Sequence, residues 1–327
     1  MRHALTDYLL FLAEGVTVVA LLGALVVGVA RLAAPRKPQS RLRVKNIGDH
    51  YDHLRDKLAE AVLPKRALRE RRRVQKSQRK LAARGKIPAR PRVFVLDFHG
   101  DLRASRVSGL REEITAVLSL ATPADEVVLR LTNPGGTVND QGLAASQLQR
   151  VRHRDIPLTV CVDTVAASGG YMMACVADRI VAAPFAIIGS IGVVSQIPNF
   201  HRLLDRLGVE VEQFTGGEFK RTVTMFGRNT DEDRAKVTEQ VNEIHDLFKT
   251  FVVEQRPGIE LERVATGEYW YGSDALELNL VDELRTSDDY LLAARERADL
   301  FEVTCPVPLS RVRRLTESGQ AALARLR

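Results

Sequence analysis

Ser168 stands in V-A-A-S-G-G-Y-M (165–172), directly after an apolar run and between small residues. A serine at the start of a helix exposes its hydroxyl. The unbonded backbone N–H groups of the first turn then face whatever it attacks. Gly169 and Gly170 let a second backbone approach closely. The same residues also suit a helix N-cap serine in a tight turn with no chemistry at all. A second segment, N-P-G-G (133–136), ends another apolar run. Pro134 fixes a turn there, and Gly135 can aim an amide proton into the same crevice. The Gly135 and Gly169 N–H groups together would make an oxyanion hole, although Pro-Gly-Gly alone is a common turn composition.

A serine nucleophile needs a base. Of the seven histidines, His3, His50 and His53 lie in or before a basic stretch. His153, His201 and His245 fall in charged helical contexts that read as surface, and His99, after a strand, reads as structural. A lysine is the alternative. Lys220, in T-G-G-E-F-K-R (215–221), occupies a glycine-bearing loop before a long helix. A lysine base must be neutral before it can accept a proton, so burial beside the substrate is required. Ser190, in I-G-S-I-G, is placed to hydrogen-bond and orient such an amine. The chain has 48 Lys and Arg, so composition does not single out Lys220. Cys161, Cys175 and Cys305 have spacings that suit neither zinc nor a disulfide framework. The reading calls for no metal and no cofactor.

The elements around these residues alternate. Strands are predicted at 93–98, 126–132, 157–163, 179–183, 191–196 and 209–214, and helices at 105–121, 138–154 and 168–176. Short β-branched runs alternating with helical segments argue for an α/β domain with largely parallel strands. Sites in such sheets gather where strands end and loops lead into helices.

Before this body the chain changes character. Residues 8–30 are almost entirely apolar, broken by Glu14 and Thr17. That length of helix reaches about 34 Å, enough to cross a roughly 30 Å hydrocarbon core. The apolar core is long for a signal peptide and basic residues follow it directly, so a retained single-pass anchor is expected. Residues 31–92 hold 21 Lys/Arg against 5 Asp/Glu. This neck reads as helical over 46–84, interrupted at Pro64, with a Pro-containing linker at 86–92. Its one aromatic, Tyr51, offers no stacking platform, so nucleic acid is not an expected partner. A charge run of this kind is usually a solvated face, and attraction to anionic lipid headgroups beside the anchor is the second reading. The flanking bases would put the body in the cytoplasm. Residues 310–327 form a basic, Leu- and Ala-bearing helix candidate.

Taken in order, P-G-G (134–136), V-A-A-S-G-G-Y (165–171), G-S-I-G-V (189–193), G-E-F-K-R (217–221), A-T-G-E-Y-W-Y-G (265–272) and L-V-D-E (280–283) resemble peptidase family S49, the signal-peptide-peptidase group. The anchor and basic neck fit the N-terminal extension of one of its subgroups. The resemblance runs from about residue 5 to 305. It implies an α/β, ClpP/crotonase-like fold preceded by a transmembrane helix and a basic helical neck. The implied divisions are an anchor (1–34), the neck and linker (35–92), a catalytic domain (93–305) and a C-terminal helix (306–327). It further implies a serine endopeptidase of the bacterial inner membrane, with Ser168 as nucleophile, Lys220 as base, Ser190 holding the lysine, and Gly135 and Gly169 at the oxyanion hole. Peptide or protein substrates, a homo-oligomer and a catalytic domain facing the periplasm follow from the same resemblance, the last against the charge rule. Asn133 departs from the family pattern, where serine is more usual before P-G-G. Two rivals remain: an acyl-CoA hydratase or isomerase on the same fold, which usually employs carboxylates, and a scaffold without activity.

Overall fold

The computed structural model describes residues 42–83, 90–217 and 219–306. The expected anchor at 8–30, much of the linker and the C-terminal helix candidate lie outside them. Among the described residues no helix is long and apolar enough to cross a membrane.

The neck supplies strand β1 (Arg43–Asn46) and helices α1 (Gly48–Val62) and α2 (Lys65–Ala83), which break at Pro64 as its missing N–H requires. Then follow β2 (Arg92–His99), α3 (Val107–Leu118), β3 (Glu126–Thr132), α4 (Val138–Arg152), β4 (Leu158–Val162), β5 (Val165–Ala167), α5 (Gly169–Ala174), β6 (Arg179–Ala182) and β7 (Ile187–Gly189). After these come α6 (His201–Arg206), α7 (Asp231–Gln255), α8 (Leu261–Val264), β8 (Tyr269–Tyr271), α9 (Gly272–Glu277), β9 (Glu283–Leu284), α10 (Ser287–Arg297) and β10 (Asp299–Thr304).

Seven strands form one sheet in the order β1-β10-β2-β3-β4-β6-β9. Every pairing is parallel except β1 with β10. The apolar runs are continuous because both faces are covered. Phe94, Leu96, Phe98, Leu129 and Leu131 pack with Leu110, Ile114 and Leu148 of α3 and α4. The alternate residues Val93, Val95, Val128, Cys161 and Val181 pack with Tyr290, Leu291 and Ala294 of α10. Burial pushes the Cys161 thiol up to about 12, as it does for a small apolar core residue.

β5, β7 and β8 form a second, three-stranded sheet, with β5 and β7 parallel. A bridge between Asn133 and Ala166 joins it to the end of β3. Two predicted strands are corrected. Residues 191–196 run without helix or strand, and the strand of that region is β7, four residues earlier. Residues 209–214 likewise form no strand. Residues 209–212 alternate apolar and polar side chains and 191–194 form a short apolar run, but a ladder needs a partner, and neither segment finds one among the described residues. Val194, Val209, Val211 and Phe214 are left exposed.

Candidate active site

β5 and β7 run side by side in parallel, with Ala167 opposite Gly189, so the residues that follow them are neighbours. Those residues are Ser168 and Ser190. Each has positive φ, 52° and 51°, a conformation that non-glycine residues rarely adopt. The Ser168 N–H donates to the Gly189 carbonyl at 2.7 Å, which locks the two turns together. Backbone strain of this kind costs of order 1–3 kcal/mol per residue and persists only where the surroundings enforce it. Ser168 is half-buried and precedes α5, whose Met172 N–H donates to the Ser168 carbonyl at 3.0 Å. Its side chain makes no capping hydrogen bond to that helix, so the N-cap reading has no support here.

The Pro-Gly-Gly turn lies against this serine. Gly135 has φ 98°, and a Cβ added to it would stand 2.9 Å from Ser168 Cβ and 3.1 Å from Gly169 N. The structure therefore brings Gly135, Ser168 and Gly169 together, with Ser190 one strand away. Gly170 allows the approach: a Cβ there would lie 2.0 Å from the Asn133 carbonyl oxygen. The Gly135 N–H itself donates to Asn133 Oδ1 at 2.9 Å, a contact that residue types alone did not reveal.

A cavity of about 90 Å³ opens beside Ser168. Val138, Met172, Val193, Val194, Ile244 and Phe248 give it apolar walls, and Gly136, Gly169 and Gly192 complete it. Larger depressions of about 450 and 920 Å³ lie elsewhere, and neither includes a serine or a glycine turn of this kind. Among the described residues no group of three or more His, Cys, Asp or Glu is arranged to hold a metal.

Lys220 is placed differently. It is exposed, its N–H donates to the Gly217 carbonyl at 3.2 Å, and it is not among the walls of the cavity. The burial required of a lysine base is not met within one chain. Ser190 Oγ donates to the Gly267 carbonyl at 3.1 Å rather than to an amine. Of the histidines, His99 is exposed at the end of β2. His245, read from sequence as surface, is half-buried on α7, with Nε2 at 3.2 Å from the Ile191 carbonyl. It braces the extended segment after Ser190.

Comparison with known proteins covers most of the chain. The family described as peptidase family S49 matches residues 150–301, and its N-terminal counterpart matches residues 3–148. A probable protease SohB of Haemophilus influenzae is 56% identical over 211 residues, which is 64% of this chain and 60% of that protein. A probable protease SohB of Buchnera aphidicola subsp. Acyrthosiphon pisum is 55% identical over 65% of this chain and 63% of its own length. These two alignments thus span less than two thirds of the relatives. A putative protease SohB of Buchnera aphidicola subsp. Baizongia pistaciae is 43% identical over 275 residues, 80% of this chain and 79% of the relative.

Proposed function

The chain belongs to peptidase family S49, and from that premise we propose that it is a serine endopeptidase working through a Ser168–Lys220 dyad. Ser168 Oγ attacks the scissile carbonyl, and the Lys220 amine takes its proton. The Gly135 and Gly169 N–H groups receive the oxyanion. The lysine ammonium then protonates the leaving amine, and water hydrolyses the acyl-enzyme. Ser190 orients the lysine, exchanging its bond to the Gly267 carbonyl for one to the amine. One observation carries the reading: Ser168 at φ 52° between β5 and α5, with the Gly135 turn packed on it. Strain of this kind clusters at active sites, which supports a catalytic role for this serine.

Lys220 joins the site when it is covered. The segment around it carries exposed Phe214, Phe219 and Phe226, so a second copy of the chain would bury the lysine together with these rings. The cavity beside Ser168 takes a small apolar side chain of the substrate, held by Met172 and Phe248. Residues 8–30 would tether the enzyme in the inner membrane, which favours membrane-associated or unfolded peptides, signal-peptide remnants among them. On the family's pattern the body faces the periplasm.

The test compares wild type, Ser168→Ala and Lys220→Ala on an unfolded protein substrate, with a fluorophosphonate probe to mark the nucleophile. Both substitutions are expected to lower kcat by about a thousandfold or more. Ser168→Ala should also abolish labelling. Undiminished cleavage by Ser168→Ala would sink the assignment, and full activity in Lys220→Ala would leave the base elsewhere.

A further inference from the structure

Asn133 sits where the two sheets meet, and the reaction just described does not use its side chain. Its N–H donates to the Val165 carbonyl at 2.8 Å, and its carbonyl accepts from the Ala167 N–H at 3.0 Å, one residue before the nucleophile. The side chain is fully buried. Oδ1 accepts from Gly135 N–H at 2.9 Å, and Nδ2 donates to Gln141 Oε1 at 2.8 Å. Gln141, also fully buried, donates from Nε2 to the Asp101 carbonyl at 3.1 Å. That last bond fixes both amides. The Asp101 carbonyl can only accept, so Gln141 must turn Oε1 toward Asn133, which must offer Nδ2 to Gln141 and Oδ1 to Gly135. Gly100 makes room for the arrangement, since a Cβ there would lie 2.1 Å from Asn133 Oδ1. The donor assigned to the oxyanion hole is therefore engaged before any substrate arrives.

We propose that Asn133 is a positioning residue that keeps the Gly135 N–H occupied in the resting enzyme and yields it to the oxyanion but not to the neutral substrate carbonyl. This rests on the serine-protease reading above. The amide oxygen of Asn133 and a peptide carbonyl are acceptors of similar strength, so bound substrate gains nothing by displacing the side chain. The balance changes as Ser168 Oγ bonds to the carbonyl carbon. The hydroxyl proton passes to the Lys220 amine, and the C=O π pair moves onto oxygen. Hydrogen bonds to an ionised acceptor are about twice as strong as neutral ones, so the donor transfers as the charge develops. Gly135, with φ 98° and no side chain, can turn its peptide to follow. An interaction made only in the transition state acts on kcat and leaves KM alone.

Asn133→Asp tests this with the same side-chain shape. As a neutral acid it accepts from the Gly135 N–H through its carbonyl oxygen and donates its hydroxyl proton to Gln141 Oε1, so both bonds of the amide are kept. Ionised, it grips the N–H more strongly and repels the oxyanion. Burial raises a carboxyl pKa, so both states fall within a workable pH range. The ratio of variant to wild-type kcat is expected near one at the acid end. It should fall about tenfold or more as pH rises, with KM within about twofold throughout. A peptide boronate, tetrahedral and anionic on the serine, should lose affinity in parallel, whereas a cleaved-product peptide should not. A pH-independent kcat ratio, or a loss that raises KM and follows the unfolding midpoint, overturns the role. If Asn133→Asp does not fold, Asn133→Ala decides. With no acceptor beside Gly135, the free N–H serves the neutral carbonyl as well as the oxyanion, so KM should fall about threefold with kcat little changed; an unchanged or raised KM counts against the proposal. Fluorophosphonate labelling of wild-type Ser168 separates the two failures, because its absence would sink the protease reading itself.

Discussion

Asp125 fastens the start of β2, an interior strand of the larger sheet, to the loop before β3. Its Oδ1 accepts from Arg92 Nε and from the Arg92 N–H, both at 2.9 Å, and its Oδ2 accepts from Arg92 Nη2 at 2.6 Å and from the Thr122 N–H at 2.8 Å. The Asp125 side chain is 4% exposed. Burial alone would raise its pKa, but the bonds from Arg92 and Thr122 outweigh it and hold the carboxyl well below the usual range. A carboxylate depressed in the folded state contributes stability above its unfolded pKa of about 3.9 and loses it as pH falls toward the folded value. Asp125→Ala is therefore expected to cost about 3 kcal/mol at neutral pH, by urea unfolding. The gap from wild type should narrow below about pH 4. A gap that is constant from neutral to strongly acid pH would show that the charge is not what holds the loop.

Among the elements, α5 and the turn after β3 meet in a close backbone approach, beside which Asn133 Nδ2 donates to Met173 Sδ at 3.3 Å. Gly170, in the first turn of α5, faces the Asn133 carbonyl, and an added methyl would need to occupy space 2.0 Å from that oxygen. Neither partner is a flexible side-chain end, so the helix or the turn must shift. Gly170→Ala is expected to lower kcat/KM at least about a hundredfold, since displacements of about 1 Å at a reacting centre have that effect. Most of the sheet should remain, read as unchanged far-ultraviolet circular dichroism. Wild-type turnover in this variant would mean that the two glycine turns do not need to touch. Elements of this kind were legible to unequal degrees. β3 was readable to the residue because E-V-V-L-R-L-T is a β-branched run closed by a Pro-Gly-Gly turn. The setting of Ser168 was readable from small residues alone. β1 was not, because R-V-K-N has no buried position, and its pairing with β10 joins residues some 260 apart in the chain. The Asn133 contact to Gly135 was hidden for a related reason: it depends on Gly100 and Gln141 making the space and the partner. The strands expected at 191–196 and 209–214 failed because an apolar run or an alternation marks side chains to bury and not the surface that buries them.

At the scale of the molecule, the same two segments are exposed, and on the proposed function a second copy covers them. Val194 and Phe214 are each 88% exposed, Phe200 and Phe226 stack on one another at 6.3 Å, and Lys220 lies within the same stretch of chain. Burying such rings favours association, and it would also remove Lys220 from water, which a lysine base requires. On the proposed dyad, assembly and catalysis would be one event. The full chain in detergent is expected to sediment as a multimer, with specific activity that falls on dilution as subunits separate. Phe214→Asp should lower the mass to that of one chain and reduce kcat by about a hundredfold or more. Its unfolding midpoint, extrapolated to low protein concentration, should match that of wild type, because Phe214 buries almost nothing within its own chain. Mixing this variant with Ser168→Ala then separates two ways of covering the lysine. Recovered activity means that a neighbour with an intact apolar segment can complete the damaged subunit's site, whereas no recovery assigns the cover to the subunit's own segment, folded back on assembly. A wild-type enzyme fully active as a single chain at every concentration would remove the second copy from the mechanism.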